Sequence, residues 1–411
     1  MCKNCSDTEY NCIIVGAGAA GLFYAAADET EGRKLIIEKT SCPGQKLLMS
    51  GNGMCNITHG GSIKDFIVHY GDKGAKIRTC LYKHNNLELT QFMEHVGVPL
   101  KERPDSKIFP ASMKAADVLD ALLAKAYRNG FAFLYDCAVT GIDTGSKGSN
   151  ARGKGTAADG VCISLSDGRT LRTQKLVIAT GGASYPATGS DGSFMEILKR
   201  DLDIAVTALK PALAPVFVEH YPYSELSGIS FDDVTVSCGG HTERGPMLLT
   251  HKGFSGPAML HISQYVKPGA QLTINYLPDQ NIADVYKTIR DDQPANSKGI
   301  ANYLAGAFGL PKAFAEKLFS APSRKLSSIG HKELENIVHL MMDRKHTVSG
   351  TGGFKEAMVT AGGVSLEEMN LKNMSLIKYP CIHVIGEALD INGDTGGYNL
   401  QFAYSSARAA I

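Results

Sequence analysis

An α/β fold interrupted by an inserted, β-rich domain is what this sequence predicts, on three observations. The chain has 411 residues, beyond the length at which a single hydrophobic core keeps growing, so two domains are expected. Its N-terminal part carries a strand, glycine turn, helix and second strand within about thirty residues. That pattern gives way further on to short apolar runs punctuated by proline and glycine, and then resumes. The expected division is one discontinuous domain, 1–192 with 347–411, around an insert at 193–346 that is β-rich first and helical afterwards.

Taken in order, "YNCIIVGAGAAGLFYAAADETEGRKLIIEK" supplies an apolar run, an alanine-rich helix and a second apolar run ending in charge. Gly16, Gly18 and Gly21 form G-x-G-x-x-G where the first strand meets the helix, and Glu38 closes the next strand twenty-two residues after Gly16. In that context the triplet reads as a Rossmann-like dinucleotide turn. Gly16 permits the tight turn, Gly18 lets backbone approach a pyrophosphate, and Gly21 lets helix and strand pack closely. Ala19 and Ala20 open the helix, whose free N–H groups suit phosphate. Glu38 is placed to accept from an adenosine ribose, disfavouring a 2′-phosphate there, and Lys39 follows it.

A nicotinamide dehydrogenase would continue with further βαβ units. This chain breaks instead into a polar, glycine-bearing loop at 43–61, where Lys46, Ser50, Gly51, Asn52, Cys55 and Asn56 cluster as a wrapping around an extended polar ligand would require. A flavin dinucleotide, FAD, is the better expectation. An amphipathic helix is expected near 112–128. Three strands then meander, one beginning near Val139, with an Asp167-Gly168 hairpin signal. The last ends in "LVIATGG", where Thr180, Gly181 and Gly182 again permit close backbone approach. Between the first two of these strands, 144–160 reads as a solvated loop.

Composition narrows the partners. Forty-two basic against forty-one acidic residues give a formal charge of +1, which supplies no broad field for nucleic acid or an anionic membrane. A small-molecule substrate fits better, with no nucleic acid and no membrane expected. No apolar run approaches the roughly 20 residues that span a bilayer, and no signal-like segment opens the chain, so a cytoplasmic location is expected. The ten cysteines, among them Cys12, Cys162 and Cys381 in strand-like runs, read as reduced. Cys2 and Cys5 have C-x-x-C spacing without a second pair at ligand distance, so no metal is expected.

Five stretches, "GAGAAGLFYA", "GQKLLMSGNGMCNIT", "ATGGASYPATGSDG", "LLTHKGFSGPAMLHIS" and "GEALDINGDTGGYNLQFAYSSA", resemble the signature blocks of the BaiN/YhiN-like flavoproteins, which include aminoacetone-oxidase-like and 3-dehydro-bile acid Δ4,6-reductase-like enzymes. The resemblance covers nearly the whole chain. It implies an FAD fold of the two-dinucleotide-binding-domain type with a β-rich and helical insert. It also implies that Gly386, Glu387 and Asp390 follow a buried strand toward the ribityl or pyrophosphate. Gly396, Gly397, Tyr398 and Asn399 would open a last helix aimed at the flavin pyrimidine edge. Met54 departs from the family, which usually has arginine there.

With a flavin carrying the redox chemistry, the chain needs only to place a substrate and move a proton. Candidate proton donors are Tyr185, His251 and Tyr398. No second strand-G-x-G-x-x-G-helix unit appears, so NAD(P)H as electron donor would visit transiently. The leading expectation is reduction of a C=C bond conjugated to a carbonyl, as in bile-acid-like enones. Two alternatives stand beside it: an amine or aminoketone oxidase, and a flavin-bearing RNA-binding or regulatory module.

Overall fold

The computed structural model describes residues 9–145, 160–295, 297–319 and 321–411. Cys2, Cys5 and nearly all of the expected solvated loop lie outside them. Two compact units divide the chain, Met1–Lys210 with Val359–Ile411 and Pro211–Met358.

The first unit is built on a Rossmann-type sheet. Its first strand, Glu9–Val15, pairs in parallel with Lys34–Ile37 on one side and with Thr170–Ile178 on the other. Phe131–Leu134 and Ile382–Val384 extend the parallel order outward, and among the described residues the sheet has nine strands. Central strands lose both faces to helices, so they need continuous apolar runs, and Ile13, Ile14, Leu176 and Val177 are fully buried. Val139–Asp143, Val161–Leu165 and Thr170–Ile178 form the antiparallel meander. Its Asp167-Gly168 turn has Gly168 at φ +87°, a region glycine enters without steric cost.

Ala19–Ala27, the first helix, is covered by the amphipathic helix Ala115–Arg128 and the last helix, Tyr398–Ala409. Phe23 meets Tyr404 edge to face at 5.5 Å, and Asn129 donates to the end carbonyls of Ala25 and Ala26 at 2.9 Å each. These contacts settle helix ends that would otherwise leave carbonyls unsatisfied.

The second unit holds a closed six-stranded barrel in the order Val216–Val218, Phe254–Ser255, His241–Leu249, Ser230–Cys238, Gln271–Asn275 and Arg344–Thr351. Helices Ile282–Asp292, Ile300–Phe308, Lys312–Leu318 and His331–Met342 lie between its last two strands in sequence. The unit boundaries differ from 192/193 and 346/347 for identifiable reasons. Helix Phe194–Leu202 belongs with the meander, because Asp201 accepts from the Ile142 N–H at 2.9 Å. Arg344–Thr351 belongs with the barrel, which it closes by pairing with Val216–Val218 and Gln271–Asn275.

Among the described residues, Cys12, Cys42, Cys55, Cys80, Cys137, Cys238 and Cys381 are free thiols. Cys162 is disulfide-bonded, which corrects the expectation that it is reduced. No helix of the described residues is long and apolar enough to cross a membrane, and no cluster of metal-ligating side chains occurs among them.

Candidate functional site

The site begins at the glycine turn. Gly16 sits at φ +102°, and a Cβ there would lie 2.6 Å from the Ala179 carbonyl oxygen. A Cβ on Gly21 would lie 2.1 Å from the Gly16 carbonyl oxygen. Gly18 is different: its backbone is extended (φ −79°, ψ −174°), and a Cβ would meet nothing within 4 Å. Two of the three glycines are therefore required by the protein's own packing, and the third opens onto free space beside the first turn of Ala19–Ala27. Unpaired N–H groups at such a helix start favour an anionic group.

Glu38 is held by three donors. Its Oε2 accepts from the Ala17 N–H at 2.8 Å, and its Oε1 accepts from the Thr40 N–H and hydroxyl at 3.0 and 2.9 Å. The strand-end acid is thus tied to the glycine turn itself. Lys39 pairs with Asp191 at 2.8 Å. Val139 is buried near this end, where the Cys137 N–H donates to the Glu38 carbonyl at 3.1 Å.

The polar loop joins the turn through Gly44, whose N–H donates to the Ala17 carbonyl at 2.9 Å. Gly44 is left-handed at φ +66° and starts the short helix Gln45–Met49. Lys46 on that helix reaches Glu387 at 2.6 Å, across 341 residues of sequence. The other oxygen of Glu387 accepts from the Thr360 N–H at 2.7 Å. Gly386 lies against the first helix so tightly that a Cβ would sit 2.6 Å from the Ala20 Cβ. Asp390 accepts from the Gly362 N–H at 3.0 Å and pairs with Lys73. The stretch from Gly386 to Asp390 therefore meets the first helix, the loop helix and the segment at Thr360 and Gly362 in turn.

Thr180, Gly181 and Gly182 end the strand Thr170–Ile178 beside Thr360, whose hydroxyl accepts from the Ala183 and Ser184 N–H groups at 2.8 and 3.0 Å. The Thr180 hydroxyl and the Asn56 side-chain oxygen are shielded from solvent and unpartnered. Buried polar atoms without partners are costly, and here two border the glycine turn and the loop. With the open space over Gly18 and the acid at the strand end, they fit a dinucleotide. Gly51 and Asn52 lie in the exposed part of the loop, left-handed at φ +55° and +56°, whereas Ser50 is half-buried and its hydroxyl donates to the Leu47 carbonyl at 2.6 Å.

Of the proposed proton donors, Tyr398 has the most developed surroundings. Its ring is sandwiched between His69, 4.0 Å away and nearly parallel, and His59 at 5.6 Å. Burial first, then Asp394 and Asp65, push its phenol up to about 12. His69 Nδ1 faces Asp394 at 2.9 Å. Sequence reasoning passed over His59, His69, Lys73, Asp394 and Thr360, and their roles depend on long-range pairing that no local spacing signals. Tyr185 starts a tight turn at φ +55°, strained for a non-glycine residue. His251 stands exposed in the turn between two barrel strands of the second unit.

Two of these side chains are engaged within the protein itself. Cys55 is fully buried and its thiol is pushed by burial up to about 11, so its side chain packs inward and does not line the loop's open face. The Asn399 amide is spent inside its own turn: it accepts from the Gly393 N–H and donates to the Gly393 carbonyl, both at 2.8 Å. Gly396 and Gly397 are left-handed at φ +123° and +95°, and Gly397 passes so close to Thr58 that a Cβ would lie 2.6 Å from its Cα.

Comparison with known proteins supports one lineage. The HI0933-like protein Rossmann domain family matches residues 10–411. A ribosomal RNA dihydrouridine synthase of Escherichia coli is 30% identical over 97% of this chain and 96% of its own length. A 3-dehydro-bile acid delta(4,6)-reductase of Clostridium scindens is 26% identical over 97% of this chain and 97% of its own. Among solved structures, a 3-ketosteroid-delta4-(5alpha)-dehydrogenase of Rhodococcus jostii superposes with a TM-score of 0.53 at 14% identity, covering 100% of this chain and 98% of that one.

Proposed function

The chain belongs to the HI0933-like Rossmann-domain family and is a flavin-dependent oxidoreductase, and from that premise we propose that it reduces a C=C bond conjugated to a carbonyl, the acceptor being a uracil ring in RNA. One observation carries this reading. Two relatives spanning nearly the whole chain bear names with unrelated substrates and a common bond change. Dihydrouridine is uridine with its ring C=C saturated beside a carbonyl, and a 3-dehydro Δ4,6 acid has alkenes conjugated to its 3-oxo group. The higher identity to the RNA-directed relative favours uracil. The formal charge of +1 argues against a broad basic face, which leaves a local contact with RNA open.

FAD is the cofactor that the residues fit, and when bound it would supply the hydride. The chain's own residues would do the rest. The glycine turn and Glu38 would hold the adenosine diphosphate half, and Lys46 with Glu387 would fix the loop against the late segment. Conjugation moves charge onto the carbonyl oxygen, where preorganised donors stabilise it most effectively. Tyr398, held neutral by burial, would carry the proton for the carbon that does not receive hydride. A reduced nicotinamide is the proposed electron donor.

Anaerobic titration tests this. Reduced nicotinamide is expected to bleach the bound flavin, and uridine-containing ribosomal RNA to restore its colour while forming dihydrouridine. Recovery with a 3-oxo-4-ene steroid and not with RNA would move the acceptor to the enone class. Failure of both, with bleaching of oxidised flavin by an amine, would replace the reading with an amine oxidase.

A further inference from the structure

A second group of polar side chains lies inside the second unit, among apolar neighbours. Arg344 and His346 stand two residues apart on the barrel strand Arg344–Thr351 and so project to the same face. His346 is 7% exposed, Tyr276 4% and Tyr223 1%. The fully buried Phe314 ring contacts Tyr223 at 5.3 Å and Tyr276 at 4.6 Å, and Tyr223 lies 6.1 Å from His346. The four residues thus share one enclosed neighbourhood.

Their polar atoms are unspent. The Tyr223 and Tyr276 hydroxyls, His346 Nε2 and Arg344 Nε are all shielded from solvent without a hydrogen bond of good geometry. Tyr223 is nonetheless near enough to Arg344 and Tyr276 for both to oppose the rise that burial imposes on its phenol. These groups are within reach of one another, yet the contacts among them are too poorly aligned to satisfy Tyr223, Tyr276 and Arg344 fully. Native interiors rarely tolerate this unless something else completes the bonding.

The charge pattern says what completes it. Arg244, Arg290 and Arg324 each pair with a carboxylate, whereas no ion pair to Arg344 is seen among the described residues. Burial, then the Arg344 charge, pushes His346 down to about 4, so it is a neutral donor or acceptor at physiological pH. One fixed cation, two phenolic donors and a neutral imidazole suit an oxyanion, and the planar guanidinium fork suits it best. We propose that this end of the barrel binds a small oxyanion, a carboxylate or phosphate group, through Arg344 and the hydroxyls of Tyr223 and Tyr276, with His346 bordering it.

The test is thermal unfolding of the flavin-loaded, full-length protein in sodium phosphate, acetate or chloride at matched ionic strength. Loading with flavin keeps phosphate from reporting the dinucleotide cradle. A saturable rise in melting temperature with phosphate or with acetate, absent in chloride, is expected, and the effective anion identifies the source chemistry. Arg344→Gln and Tyr276→Phe are each expected to abolish the rise. Tyr276→Phe removes only a hydroxyl that makes no well-formed hydrogen bond within the protein, so it folds even where Arg344→Gln does not. The chain contains no tryptophan, so binding is also expected to shift the near-ultraviolet tyrosine difference spectrum of the wild type. No rise above chloride, an undiminished rise in Tyr276→Phe, or a rise without any tyrosine signal would overturn the proposal.

Discussion

Substituting the two glycines Gly18 and Gly21 by alanine separates what the fold needs from what the cofactor needs. In Gly21→Ala the new methyl would lie 2.1 Å from the Gly16 carbonyl oxygen and 3.3 Å from the Ala179 Cβ. The closer atom is backbone and cannot swing aside, so helix and strand must part, a distortion costing ~1–3 kcal/mol. In Gly18→Ala the backbone angles already suit alanine and nothing lies within 4 Å. There, a weaker helix cap and a less flexible unfolded chain nearly cancel, leaving stability within about 0.5 kcal/mol of wild type. In the proposed cradle the methyl would, however, crowd the open space where a pyrophosphate oxygen would take a charge-assisted hydrogen bond worth ~1.5–3 kcal/mol. That loss corresponds to about 10- to 150-fold in Kd. Apoprotein melting and FAD titration by flavin fluorescence read the two effects separately. A Gly18→Ala protein that binds FAD within about twofold of wild type, or a Gly21→Ala apoprotein that melts with wild type, would refute the reasoning.

Three further outcomes are expected. Lys46→Met is expected to cost about 0.5–1 kcal/mol, since the pair with Glu387 is only partly buried; the Lys46→Met/Glu387→Gln double variant should cost less than the two singles together, as measured by urea unfolding. Burial pushes both His346 and His383 down to about 4. The unfolded chain then binds more protons below about pH 6.5, so stability should fall as pH drops from there toward 4, by about 1.4 kcal/mol per pH unit per histidine; His383→Gln should flatten that slope in melts across the range. Native alkylation followed by mass spectrometry should label Cys42, which is exposed, and spare Cys12, Cys55 and Cys80, whose thiols burial pushes up to about 12, 11 and 12.

The sequence made the local parts of this site legible and the long-range parts opaque. The glycine turn, Glu38 and the Asp167-Gly168 hairpin each follow from chemistry within a few residues or one βαβ unit. The pairing of Lys46 with Glu387, and the stacking of His59 and His69 on Tyr398, join segments that share no periodicity, and the late strand Ile382–Val384, paired onto Thr170–Ile178, carries the late segment to the early ones. Asn399 is expected at the flavin edge because it opens the last helix. Its turn uses the amide first, since Gly393 lies within its reach. Net charge is a whole-chain sum and does not report a local face, so it leaves the proposed RNA contact to be tested.

The parallel partners of the strand Thr170–Ile178 are Glu9–Val15 and Ile382–Val384, one made early on the ribosome and the other only after the second unit has emerged. Until that late strand arrives, the growing polypeptide carries an apolar ribbon with an unpaired border, the kind of template that recruits neighbouring nascent chains. Biogenesis should therefore be most vulnerable in this interval, and slowing synthesis between residues 211 and 358 should raise dependence on chaperones more than slowing it anywhere earlier.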